Sequence, residues 1–213
     1  IKKIQYIINK LNVRKILLVT GKNSFSLCGA KNKIDSLLNN ISIVKFNNFQ
    51  SNPSLEDAER GIKLLRENNL DLIIAIGGGS VIDMAKMINI FAAQKDNDLM
   101  SYIEDGSLIE KKGIPLVAIP TTIGTGSEAT HFAVVYVDKV KYSLAHQFML
   151  PDYAIVDAEL SCNLPKNIVA ASGMDALSQA VESYWAVKST NESKKYASEA
   201  IVLALGSIKD AVK

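Results

Sequence analysis

The chain has 213 residues, 48% of them apolar, enough for the packed core of one large domain or about one and a half ordinary ones. Its net charge is +2, from 24 basic and 22 acidic side chains. The basic residues are scattered, with pairs such as Lys111-Lys112 and Lys194-Lys195 reading as solvated surface, so nucleic acid is excluded as the main partner.

Lys15 to Thr20 (KILLVT) is a short apolar run that stops at Gly21, the pattern of a buried parallel strand. Helical spacing through Ile34, Leu37 and Leu38 follows, and 41–46 (ISIVKF) reads as a second strand. Leu55, Ala58, Ile62 and Leu65 recur at helical spacing, which predicts an amphipathic helix over 54–68 with Ser54 as its N-cap. Leu70 to Ile76 (LDLIIAI) is the strongest strand pattern; it runs into Gly77-Gly78-Gly79-Ser80 and a helix to about Ala93. Ile114 to Ile119 (IPLVAI) is another buried strand, and 132–137 and 153–157 add strand-like pieces around a polar turn near Asp138. The alternation predicts an α/β fold with a mostly parallel sheet over 1–160.

Beyond about Leu160 only helical spacing is found, so 161–213 reads as the start of an all-helical domain. Its last segment is apolar at Ala197, Ala200, Ile201, Ala204 and Leu205, a face expected to be covered by further chain or by another protein. Cys28 and Cys162 are far apart and not metal-spaced, which fits a reducing, cytoplasmic setting. No apolar run approaches the ~18 residues of a membrane span, so no membrane partner is expected.

Three motifs carry chemistry. In Gly77-Gly78-Gly79-Ser80-Val81-Ile82-Asp83-Met84-Ala85-Lys86, a strand ends in glycines where a helix begins. That junction suits a pyrophosphate, through close backbone approach and the positive end of the helix dipole, or it is simply a tight turn. Ile82 stands where the third glycine of G-x-G-x-x-G belongs, so neither the standard dinucleotide fingerprint nor a Walker A loop is present. The second motif, Pro120 to Thr130 (PTTIGTGSEAT), crowds Thr121, Thr122, Thr125, Ser127 and Thr130 into a glycine-bearing loop after a core strand. Hydroxyls and free amides there can bind phosphate or ribose oxygens, or serve only as turn formers. In the third, Asp175, Gln179 and Glu182 share one helix face, where a carboxylate and an amide oxygen one turn apart can ligate a cation or merely favour the helix terminus. Met174, Leu177, Val181 and Tyr184 read as the core face of that helix.

In this order and at these separations, the three motifs resemble the iron-containing (group III) alcohol dehydrogenase family, with its dehydroquinate-synthase-like fold. Pro151-Asp152-Tyr153-Ala154-Ile155-Val156-Asp157 resembles the family's connector into its helical metal domain. The resemblance implies an oxidoreductase that moves a hydride between NAD or NADP and a small aldehyde or alcohol, and a homodimer. It implies that Gly78, Gly79 and Ser80 hold the pyrophosphate with Asp83 nearby, and that Thr121, Thr122, Thr125, Ser127 and Lys141 line the nucleotide site. Asp175 and Gln179 become the metal positions, for Fe2+ or, as alternatives, Zn2+ or another divalent ion.

This chain departs from the family at three points. Gln179 stands where the family has histidine, and the family's remaining histidine ligands lie in a C-terminal half that these residues do not include; His131 and His146 are not at ligand positions. Where NAD-preferring members carry Asp after the first strand, this chain has Gly21-Lys22-Asn23-Ser24, which lacks repulsion toward a 2′-phosphate and offers a cation, so NADP(H) stands beside NAD(H) as a candidate. The stretches 129–135, 141–146 and 177–185 resemble the phosphonoacetaldehyde reductase branch, which implies reduction to 2-hydroxyethylphosphonate and a substrate-binding role for His131. A cofactor-binding fragment without catalysis, or a reductase of a simple alcohol, diol or glycerol, are the alternatives.

Overall fold

Apolar runs ending in glycine or polar turns become the strands of one sheet. The computed structural model describes residues 1–95 and 98–213. Along the chain these form α1 (Lys3–Leu11), β1 (Lys15–Thr20), α2 (Ser24–Leu27), α3 (Ala30–Leu37), β2 (Ser42–Phe46), α4 (Leu55–Asn68), β3 (Leu72–Gly77) and α5 (Gly79–Ala92). There follow α6 (Leu99–Glu104), β4 (Leu116–Pro120), β5 (Phe132–Val137), β6 (Val140–Ala145), β7 (Tyr153–Ala154), α7 (Lys166–Trp185) and α8 (Asn191–Val212). The expected α/β architecture is thus present.

The main sheet has the order β2-β1-β3-β4-β7, and each neighbouring pair is parallel. Ile16 and Leu18 of β1, Ile74 and Ile76 of β3, and Val117 and Ile119 of β4 face Ile4 and Ile8 of α1, Phe25 of α2 and Ile34 of α3. Leu17, Val19, Ile73, Ala75, Leu116 and Ala118 face the opposite way, onto Ala58 and Ile62 of α4, Met84 and Ile88 of α5 and Tyr102 of α6. Burying one such aliphatic side chain stabilises the fold by roughly 1.5–3 kcal/mol, and a strand covered on both faces takes that gain at every position. This explains continuous apolar runs in place of alternation.

Chain order reverses between β1 and β3, because β2 lies on one side of β1 and the later strands on the other. Ligands of open parallel sheets bind beyond the carboxyl ends of the strands at such a reversal. Three segments meet that edge: 21–24 after β1, the glycines after β3, and 121–130 after β4.

The structure revises several local expectations. The strand at 132–137 pairs antiparallel with 140–145, as a separate hairpin. Asp138 and Lys139, at φ 48° and 67°, form its two-residue turn, which matches the twist of the flanking strands. The piece expected over 153–157 shortens to the two residues of β7, in the main sheet. Helices α1, α2 and α6 and strand β6 lie outside the expected elements. On α7, Met174 and Tyr184 are exposed rather than core; the buried positions are Gly173 and Ala180, and Gly173 lies against Ile208 of α8. Two helices packed on each other bury only the seam between them, and the buried residues of this pair are Gly173, Ala180 and, on α8, Ala197.

Candidate cofactor and metal site

α5 is the central element of the site. Its N-terminus follows β3 directly, and its length runs between the sheet, α4 and β5, so ten of its fourteen residues are buried. The amides of Val81 and Ile82 bond back to Gly78 O, and no side chain caps the first turn. The Gly79 and Ser80 end of the helix is therefore open to an anion, with the positive end of the dipole behind it.

The glycines also meet the second loop. A Cβ on Gly78 would lie 3.0 Å from Thr122 Oγ1, and one on Gly79 3.3 Å from Thr125 Cγ2. The space a side chain would need is taken by the threonine loop, so the glycines let the two motifs close on each other. The amide of Thr121 donates to Gly77 O at 2.9 Å and holds them in that relation. Gly124, at φ +102°, brings the same loop onto α7: a Cβ there would lie 2.2 Å from the Ser172 carbonyl oxygen.

Two clefts flank the N-terminus of α5. One, of about 640 Å³, is mainly apolar; Leu27, Leu160, Leu164 and Ile168 line it, with Asn23, Ser24, Gly78, Thr121 and Thr122 at its polar end. The other, of about 410 Å³, is polar; Gly79, Ser80, Asp83, Thr125, Ser127 and Lys141 line it, together with Asp175 and Gln179. Most of the residues singled out from the sequence thus meet on the two sides of one helix terminus. Gly21 lies just beyond β1, near Ser24 and Val81, and Lys22 is exposed beside it.

A buried polar lattice supports the floor of the polar cleft. Ser127 Oγ donates to Asp83 Oδ1 at 2.5 Å, and the amide of Val134 donates to Asp83 Oδ2 at 3.1 Å. Burial raises the Asp83 pKa above the usual carboxylate value, opposed by the Ser127 and Val134 hydrogen bonds and by Lys86. Asp83 was expected near the cofactor; it lines the cleft, but both its oxygens are engaged within the protein. Lys86 donates to Thr130 O at 2.8 Å and Phe132 O at 2.7 Å, and burial pushes its pKa down to about 8 against the attraction of Asp83 and Glu128. Sequence reasoning passed over Lys86. The signal was there: a single lysine on a helix apolar on almost every side.

Asp175 and Gln179 sit one turn apart on α7, and Gln179 Nε2 donates to Asp175 Oδ2 at 2.7 Å. This leaves the amide oxygen for another partner, so the pair fits part of the coordination of an oxygen-preferring divalent cation. Among the described residues, no group of three or more His, Cys, Asp or Glu side chains converges to complete such a site. His131 is exposed at the start of β5; its neighbours Thr130 and Phe132 line the polar cleft. Asn52, Pro53 and Tyr136 line it too, brought there because the amide of Tyr136 donates to Pro53 O at 2.8 Å. Nothing local in the sequence marked those three.

An open parallel sheet with glycine and threonine loops gathered at its carboxyl edge defines an α/β protein with a candidate ligand site at that edge. Residues 1–158 match the iron-containing alcohol dehydrogenase family, and the chain belongs to it. The long-chain-alcohol dehydrogenase 1 of Geobacillus thermodenitrificans is 34% identical over 209 residues, which cover 96% of this chain and 52% of that protein. The NADPH-dependent butanol dehydrogenase of Clostridium saccharobutylicum is 35% identical over 182 residues, 83% of this chain and 47% of that protein. The crystal structure of sulfoacetaldehyde reductase from Bifidobacterium kashiwanohense in complex with NAD+ superimposes with a TM-score of 0.91 at 29% identity, over 99% of this chain and 56% of that one. The chain spans about half the length of the curated relatives it matches.

Proposed function

We propose that this chain forms the cofactor-binding part of a metal-dependent NAD(P)(H) oxidoreductase that interconverts a small aldehyde and its primary alcohol. The observation that carries this reading is the pair of clefts meeting at the uncapped N-terminus of α5. The apolar cleft suits an adenine ring, the helix terminus a pyrophosphate, and the polar cleft the nicotinamide half next to Asp175 and Gln179. Gly78, Gly79 and Ser80 present backbone to the phosphates, while Thr121, Thr122 and Thr125 offer hydroxyls to phosphate and ribose. Lys141, on β6, reaches the polar cleft with a charge that suits the ribose or nicotinamide side.

The dihydronicotinamide would supply the hydride, and a divalent metal, iron by family, would supply Lewis acidity at the substrate carbonyl. Asp175 and Gln179 would hold part of the metal's coordination shell; this chain's other contribution is alignment of the reactants within a walled cleft. Residues 1–160 are read as the dinucleotide domain and 161–213 as the opening of a helical metal domain, with a homodimer in the reducing cytoplasm as the working form. With Gly21 in place of an acidic residue, NADPH is the proposed donor.

For the substrate we propose a two-carbon aldehyde bearing an anionic group, phosphonoacetaldehyde in particular, with His131 at the anionic end. The structural likeness to a protein described as a sulfoacetaldehyde reductase supports that class. The test is NADPH oxidation by the purified protein with phosphonoacetaldehyde, sulfoacetaldehyde and propanal side by side. A preference for the phosphonate is expected; equal rates with propanal would refute the substrate, and NADPH binding without turnover of any aldehyde would favour a binding module.

A further inference from the structure

Lys86 has no part in the chemistry above, yet its placement is costly. It is 1% exposed, on α5 between the fully buried Ala85 and Met87. An apolar side chain would fill the same space without removing a charge from water. What the ammonium does there is bind one loop. It donates to Thr130 O at 2.8 Å and Phe132 O at 2.7 Å, with longer contacts to Thr130 Oγ1 at 3.4 Å and Ser127 Oγ at 3.5 Å. One turn earlier on the same helix, Asp83 takes Ser127 Oγ and the Val134 amide. α5 therefore grips 127–134 with an anion and a cation in sequence, and that segment supplies Ser127, Thr130, Phe132 and Val134 to the wall of the polar cleft.

We propose that Lys86 is a positioning residue for the cofactor: by binding the inward-turned carbonyls of Thr130 and Phe132, its ammonium sets the shape of the cleft wall and hence how tightly the dinucleotide is held. The proposal rests on the cofactor reading given above. The charged groups facing Lys86 are Asp83, on its own helix, and Glu128, on the turn packed against it; the hairpin presents the Phe132 carbonyl. Burial brings the Lys86 pKa down to about 8. Above that pH the neutral amine has two donors instead of three for the same oxygens, and the loop loosens.

The test is NADPH affinity, read by cofactor fluorescence on the whole chain between about pH 6.5 and 9.5, a window that spans the loss of the lysine charge. Wild type is expected to hold a constant Kd below about pH 7 and to lose up to about tenfold per pH unit above 8. Lys86→Met is expected to bind NADPH about tenfold or more weakly at neutral pH and to show no alkaline limb; a variant that merely disturbed packing would keep the limb. Cys28→Ser removes the thiol beside the apolar cleft and should leave the limb in place; its disappearance in that variant would overturn the proposal. If Lys86→Met does not fold, the wild-type profile decides, since a flat Kd up to about pH 9.5 overturns the proposal. A wild-type chain that binds no NADPH at any pH defeats the cofactor reading itself, and this inference with it.

Discussion

Gly21→Asp is expected to turn the cofactor preference around. Gly21 follows the last residue of β1, at the edge where the chain order reverses. A Cβ there would lie 2.2 Å from Ser24 Oγ but no closer than 3.8 Å to Val81. Ser24 is exposed, so its hydroxyl can rotate away and a carboxylate fits without moving backbone. If the new charge stands about 5 Å from a bound 2′-phosphate, the repulsion is about 3 kcal/mol per unit charge at an effective dielectric of about 20. Solvent screening at this open position takes back half or more of that, and the phosphate carries a charge of about −1.5 to −2. A net penalty of about 2–3 kcal/mol remains, which weakens NADPH binding roughly 30- to 150-fold. For NADH the same carboxylate accepts a ribose hydroxyl, a charge-assisted bond giving about a tenfold gain. Equilibrium titrations of wild type and variant with both cofactors, at low and high salt, measure this directly. The reasoning fails if the variant binds NADPH as tightly as wild type, or if wild type already prefers NADH.

Three further outcomes follow from the geometry. Gly124→Ala should lower the melting temperature and weaken NADPH binding far more than Gly126→Ala: both have positive φ, but only at Gly124 would the Cβ strike a backbone oxygen, at 2.2 Å. Thermal denaturation should show about 1–3 kcal/mol of strain or more at Gly124, and little beyond the left-handed penalty of about 1–2 kcal/mol at Gly126. Asp83 has a raised pKa because of burial, so the folded state takes up its proton before the unfolded state does. Wild-type stability should therefore fall as pH rises from the ordinary carboxylate range through the raised value, and Asp83→Asn should show a flatter melting temperature over the same window. Gln179→His replaces an amide oxygen by an imidazole and should tighten Zn2+ or Fe2+ retention against a chelator, read as metal content after dialysis, whereas Asp175→Asn should reduce it.

Much of this protein is written locally. KILLVT, LDLIIAI and IPLVAI could be read as strands, although β3 and β4 begin two residues later, at Leu72 and Leu116, because both faces of a central strand are buried and little but apolar residues fits there. The N-cap at Ser54, whose hydroxyl accepts the Asp57 amide at 3.1 Å, was legible because a cap involves only neighbours. The two loops of the site were legible for the same reason: glycines and threonines set after buried strands declare a backbone left open at the sheet's edge.

What the tertiary structure alone decided depends on residues distant in the chain. β6 (VKYSLA) escaped notice because it is a half-exposed hairpin strand, recognisable only by its partner β5. Met174 and Tyr184 looked like core by spacing and are exposed, because spacing shows that a helix has an apolar face, not that anything packs on it. The sequence sets Asp83 beside the glycine loop and Lys86 on a largely apolar helix, but it shows the partner of neither. The packing of 127–134 across α5 buries Lys86, half-buries Asp83 and shifts both toward neutrality, since desolvation depends on everything that surrounds a group and not on its neighbours in sequence.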